Sequence, residues 1–237
     1  MRLLLLSNST SPGRAYLDHA IPWLDAFLGG ARRVAFVPYA GVTVTWGDYA
    51  DKVRGALAPL GVEVTSVHEA TAPLDALDGA DAILVGGGNT FHLLREMAST
   101  GLLEAIGTRV RSGTPFVGWS AGSNVACPTI RTTNDMPIVE PPSLDALGLV
   151  PFQINPHYTD AHPDGHQGET RAQRLAEFVA ANPGVPVVGL PEGTALRAEA
   201  ARLDVLGGSS LRFDRSHPEG RPMSAHEVAE LWGGGAA

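Results

Sequence analysis

At 237 residues the chain can bury a full core, as one domain of generous size or two small ones. With 44% hydrophobic and 18% charged residues, and with 28 Gly and 18 Pro spread along its length, it reads as neither disordered nor fibrous but as a soluble globular protein rich in turns. The balance of 17 Lys+Arg against 25 Asp+Glu gives a formal charge of -8, the wrong sign for replacing counterions along a phosphate backbone. A nucleic-acid partner is therefore disfavoured, and an acidic substrate needs a local Arg or Lys pocket.

The opening Met1-Arg2-Leu3-Leu4-Leu5-Leu6 stops at Ser7, short of a secretory h-region, and reads as a buried first strand. No other stretch approaches bilayer-spanning length, so no membrane role is expected. Short apolar runs recur at Arg2 to Leu6, Arg33 to Val37, Val62 to Val67, Ala82 to Val85 and Pro115 to Gly118, separated by helical patterns at Tyr16 to Leu28, Thr45 to Leu60, Asn89 to Ser99 and Leu102 to Arg111. That alternation predicts an α/β fold, a mainly parallel sheet flanked by helices. Cys127 is the single cysteine, so no internal disulfide can form and a reducing, cytoplasmic setting is expected.

Further along, a strand at Val150 to Ile154 leads through a polar loop to a helix at about Thr170 to Ala181 and a strand at Val187 to Leu190. Ala195 to Glu199, Arg202 to Leu206 and Ser210 to Phe213 read as a small antiparallel portion, and Gly233 to Ala237 as a fraying tail. No linker or repeat is evident, so residues 1–237 are expected to form one domain.

The strongest chemical signal is Gly118-Trp119-Ser120-Ala121-Gly122, a G-x-S-x-G between a buried strand and a helix start. Such a turn holds Ser120 in a strained conformation with Oγ projecting toward backbone N–H groups at a helix N-terminus. A serine nucleophile needs a base. His19, His68, His92 and His226 fall in or beside regular elements and suit structural roles, whereas His157 follows a strand end, where sites form in open α/β sheets. The orienting acid is open between Asp135, in a loop past the nucleophile, and Glu192, just beyond a strand. Glu192 is preferred for its rigid platform. Gly86-Gly87-Gly88-Asn89-Thr90 lacks the last glycine of a dinucleotide fingerprint, since Phe91 stands there. The turn can instead offer Gly88 N–H as one oxyanion donor, with Ala121 N–H as the other.

The run His157-Tyr158-Thr159-Asp160-Ala161-His162-Pro163-Asp164-Gly165-His166 suggests a rival metal hydrolase, but its spacing matches no helix-borne ligand pair. No metal or other cofactor is expected.

Together these blocks resemble the peptidase E family of aspartyl dipeptidases, whose relatives include the cyanophycinases. The resemblance extends through Leu3 to Thr10, Val85 to Phe91, Gly118 to Asp135, Gln153 to His157, Gly165 to Arg171 and Gly189 to Gly193, and is loose after Ala195. It implies a fold similar to class I glutamine amidotransferases, a homodimer, and a serine peptidase releasing N-terminal Asp from small acidic dipeptides. Ser120 would be the nucleophile and His157 the base, with Asp135 and Glu192 both available as acid. Arg131 and Arg171 are then the cations for the substrate carboxylate, and Asn89 and Thr90 neutral donors. A cyanophycinase-like hydrolase and a non-catalytic small-molecule sensor are the alternatives.

Overall fold

The first strand, β1 (Arg2–Leu6), buries four consecutive leucines. Alternate residues of a strand face opposite sides, so an unbroken apolar run needs cover on both. Leu3 and Leu5 enter one core layer, and Leu4 and Leu6 the other. The same pattern repeats in β2 (Arg33–Val37), β4 (Ala82–Val85) and β5 (Phe116–Trp119), while β3 (Glu63–Ser66) buries alternate residues as an edge. These five strands run parallel in the order β3-β2-β4-β5-β1. The chain is described here as a computed structural model covering residues 1–161, 165 and 167–233.

Helices close both faces, as parallel sheets require. In α1 (Ile21–Leu28) and α2 (Trp46–Leu57), residues at helical spacing such as Leu24, Leu28, Val53 and Leu57 pack beneath Leu4, Phe36 and Trp119. On the other face, α3 (Thr90–Ser99) and α4 (Leu102–Arg111) supply Leu93, Met97, Ile106 and Val110. Asn89 caps α3 by accepting from His92 N at 3.0 Å.

After the one-turn α5 (Ala121–Asn124), the chain departs from expectation. The strand expected at Val150 to Ile154 is β6 (Gln153–Tyr158), which runs on through Pro156. A proline is tolerated there because β6 is a sheet edge, where an N–H is dispensable. It pairs in parallel with β7 (Val187–Pro191), reached through α6 (Arg171–Ala181). The antiparallel portion is divided between two sheets. The hairpin of β8 (Ala195–Glu199) and β9 (Arg202–Leu206) extends the main sheet beyond β1, giving it seven strands. By contrast, β10 (Leu211–Asp214) joins β7, and β11 (His217–Pro222) completes a second sheet in the order β11-β10-β7-β6. Neither β11 nor the helix α7 (Ala225–Gly233) is expected from sequence. Pro218, Gly220 and Pro222 erase the strand signal in β11, and α7 shows only Val228 and Leu231 as a buried pair. Residues 234–237 of the expected tail lie outside the described residues.

Candidate active site

The carboxyl ends of β1, β2, β4 and β5 open onto a cavity of about 860 Å³ that contains Ser120 and His157. Crevices at this edge are where open α/β sheets bind ligands. Ser120 follows β5 with φ 52° and ψ −111°, a conformation that a serine adopts only under constraint. Close packing supplies the constraint. A Cβ on Gly118 would fall 2.4 Å from Gly122 O, and one on Gly122 only 2.1 Å from Val85 O. Ser123 Oγ donates to Leu6 O at 2.7 Å and ties the turn to β1. The helix that follows is only four residues long, so the expected helix-dipole contribution reduces to that of individual N–H groups.

His157 lies within β6 and not beyond a strand end, as its sequence position suggests. It sits at a register irregularity between Pro156 and Tyr158, with φ 54°. The kink turns its ring toward Ser120. Nε2 is 2.9 Å from Ser120 Oγ, and Nδ1 is 2.7 Å from Glu192 Oε1. An ionised carboxylate only accepts, so Nδ1 carries the proton and Nε2 is left to accept from the serine hydroxyl. The residue Glu192 follows β7 directly, and the adjoining Gly193 N–H donates to Asn8 Oδ1 at 2.8 Å. The Glu192 side chain is 50% exposed, so water screens its charge and orienting the ring is its larger contribution.

Asp135 lines the cavity without touching the imidazole. Its Oδ2 accepts from Thr90 N at 2.7 Å, Thr90 Oγ1 at 2.5 Å and Thr133 Oγ1 at 3.0 Å, which leaves Oδ1 without a partner among the described residues. Thr90 is thereby removed as a substrate donor, because it is fully buried and both its hydroxyl and its amide are committed to Asp135. Asn89 does line the cavity. Its side chain, however, caps α3 and donates to Met136 O at 2.9 Å.

The two arginines separate. Arg131 is exposed and outside the cavity, because the buried Ile130 and Thr132 on either side turn it outward. Arg171, at the start of α6, lines the cavity, and its contact with Asn155 Oδ1 at 3.5 Å is to a neutral group. Burial, and then the neighbouring Arg174, pull its pKa below the ordinary guanidinium value. Among the described residues it has no carboxylate partner, so a substrate carboxylate would relieve it.

Gly88 lines the cavity, and a Cβ there would strike Ala40 O at 2.2 Å. Neither its N–H nor that of Ala121 has a hydrogen-bond partner among the described residues. Of the run considered for metal binding, His162, Pro163, Asp164 and His166 lie outside the described residues. Two contributors escape sequence reasoning altogether. Ser7 Oγ accepts from His157 N at 2.9 Å and donates to Leu190 O at 2.7 Å. Tyr49 reaches the Gly87 carbonyl from α2 at 3.0 Å. No helix among the described residues is long and apolar enough to cross a membrane.

Comparison with known proteins places the chain among peptidases. The chain is 55% identical to peptidase E of Salmonella arizonae over 213 residues, covering 90% of this chain and 93% of that one. It matches peptidase E of Salmonella typhimurium equally, at 55% over the same shares. Among solved structures, a peptidase from an acI-B1 Actinobacterium superposes with a TM-score of 0.69 at 17% identity over 94% of both chains, a likeness of fold. A protein from Listeria monocytogenes EGD-e gives 0.66 at 24% identity, covering 88% of this chain and 98% of that one. The family model for peptidase family S51 matches residues 3–206, and the chain belongs to that family of serine-type peptidases.

Proposed function

We propose that the chain hydrolyses dipeptides with an N-terminal aspartate through an acyl-enzyme on Ser120. The relay from Ser120 Oγ to His157 Nε2 at 2.9 Å and from Nδ1 to Glu192 at 2.7 Å carries this reading, and the peptidase E relatives support it. Ser120 Oγ attacks the scissile carbonyl carbon while its proton passes to His157 Nε2. The carbonyl π pair moves onto oxygen, where the Gly88 and Ala121 amides receive the charge. Collapse of this intermediate breaks the C–N bond, and the leaving amine takes the proton from His157. Water then repeats the sequence in reverse, releasing aspartate and restoring the hydroxyl.

Selectivity for aspartate follows from two groups with unused capacity among the described residues. The free Oδ1 of Asp135 suits the substrate's α-ammonium, and Arg171 suits its side-chain carboxylate. Val42, Val44 and Ile138, exposed along the same cavity, suit an apolar leaving residue such as leucine. The reading includes a cytoplasmic homodimer, and sedimentation of the purified chain tests its assembly.

The deciding experiment pairs fluorophosphonate labelling with a dipeptide panel. Ser120 should label, Asp-Leu should be cleaved, and Asn-Leu and N-acetyl-Asp-Leu should be cleaved poorly. An unlabelled Ser120 would point to a sensor, and equal rates on all three substrates would remove aspartate specificity.

A further inference from the structure

Tyr49 occupies the fourth position of α2 and is buried, its ring edge-on to Phe36 at 5.1 Å. Phe36 in turn stacks on Trp119 at 5.8 Å. The phenol of Tyr49 has one proton to give and two lone pairs to receive, and all three are used. It donates to Gly87 O at 3.0 Å, accepts from Trp119 Nε1 at 3.0 Å and accepts from the Tyr16 hydroxyl at 3.1 Å. The hydroxyl thus joins the residue immediately before the nucleophile to the glycine turn that faces it.

That turn is pinned at both ends by backbone bonds, Gly86 N to Val37 O at 3.0 Å and Asn89 N to Ala40 O at 2.8 Å. Between them the Gly87–Gly88 peptide joins two residues with no side chain to oppose its rotation. In a trans peptide the C=O and N–H point in opposite directions, and no peptide among the described residues is cis. Holding Gly87 C=O against Tyr49 therefore sends Gly88 N–H the other way. We infer that Tyr49 is a positioning residue for oxyanion stabilisation: its hydroxyl fixes the Gly87–Gly88 peptide so that Gly88 N–H faces the oxygen of the carbonyl whose carbon Ser120 attacks. Tyr49 touches no reacting atom itself. It acts in this way only if Ser120 generates an oxyanion, as in the function proposed above.

The test is Tyr49→Phe, which removes one oxygen and keeps the ring. A misdirected oxyanion donor should lower kcat on Asp-Leu on the order of 10²-fold, with KM and the shape of the pH profile unchanged. Fluorophosphonate labelling of Ser120 also builds negative charge on an oxygen and should slow by a similar factor, whatever the natural substrate is. Phe36→Leu is the control, since it loosens the same aromatic cluster but spares the hydroxyl; it should keep labelling within about threefold of the wild type. Wild-type labelling by Tyr49→Phe overturns the inference, and so does an equal loss in Phe36→Leu, which would make the effect one of packing. If the wild type labels but leaves Asp-Leu intact, the dipeptide reading falls while the labelling ratio still judges Tyr49. A wild type that does not label overturns both.

Discussion

Ser7 holds His157 by its backbone. The Ser7 hydroxyl accepts from the His157 amide at 2.9 Å and donates to the Leu190 carbonyl at 2.7 Å, with Ser7 itself fully buried. The kink that gives His157 its positive φ takes its amide out of the regular ladder, and Ser7 supplies the partner. Replacing Ser7 by Ala orphans a donor and an acceptor at once, so stability should fall by about 1–3 kcal/mol. Turnover should fall further than stability alone explains, because the freed amide lets the ring move off Ser120. Urea denaturation alongside steady-state kinetics checks both, and a variant with lowered stability but unchanged kcat would show that His157 is held by other means.

The two acids should fail differently. Glu192→Gln replaces the carboxylate at His157 Nδ1 by a neutral amide whose NH2 can hold the ring in the wrong tautomer, and should cut kcat by a factor on the order of 10⁴ with little effect on fold, by analogy with the serine-protease triad. Asp135→Asn weakens an interaction already present in the ground state, so it should mainly raise KM. Steady-state kinetics on Asp-Leu separates the outcomes, and the opposite pattern reverses the assignment.

Only one arginine should govern the choice of aspartate over asparagine. Arg171→Met should narrow an Asp-Leu over Asn-Leu preference of about 2 kcal/mol, because a desolvated guanidinium without its carboxylate is costly. Arg131→Met, outside the cavity, should leave the ratio of kcat/KM values unchanged. If Arg131→Met narrows it instead, the exposed position of Arg131 is not the one it takes with substrate bound.

Chelation should be without effect. Incubation with EDTA should leave turnover intact, whereas loss of activity restored by zinc would revive a metal role for the sequence run from His157 to His166.

Cys127 should resist alkylation in the native state. Burial pushes its pKa up to about 12, so at pH 8 the reactive thiolate is nearly absent, and Sγ is engaged by Ile154 N at 3.2 Å. Iodoacetamide uptake followed by mass spectrometry should be negligible until denaturant is added. Fast labelling of the folded chain would contradict this burial.

How much of this is legible in the sequence depends on the range of each interaction. Strands at Arg33–Val37 and Ala82–Val85 and the helix at Leu102–Arg111 have the bounds that local pattern dictates, because apolar runs end where turn residues begin. The positions of Ser120 and Glu192, both within hydrogen-bond distance of His157, are legible because each follows a strand. By contrast, Thr90 and Arg131 are misread because a polar side chain takes its role from partners far away in sequence. Thr90 is claimed by Asp135, 45 positions on. The hydroxyls of Ser7 and Tyr49 act across 150 and 38 positions, and no local pattern marks such residues.

Ser120 follows β5 of the seven-stranded sheet, whereas His157 lies in β6 and Glu192 directly follows β7 of the other. Turnover is therefore a measure of how the two sheets sit together. A slip of about 1 Å between reacting groups can cost on the order of 10²-fold in rate, far below what circular dichroism registers. Heat or mild denaturant should silence the enzyme before secondary structure is lost, and substitutions in the seam between the sheets, remote from any substrate, should register first as lost catalysis.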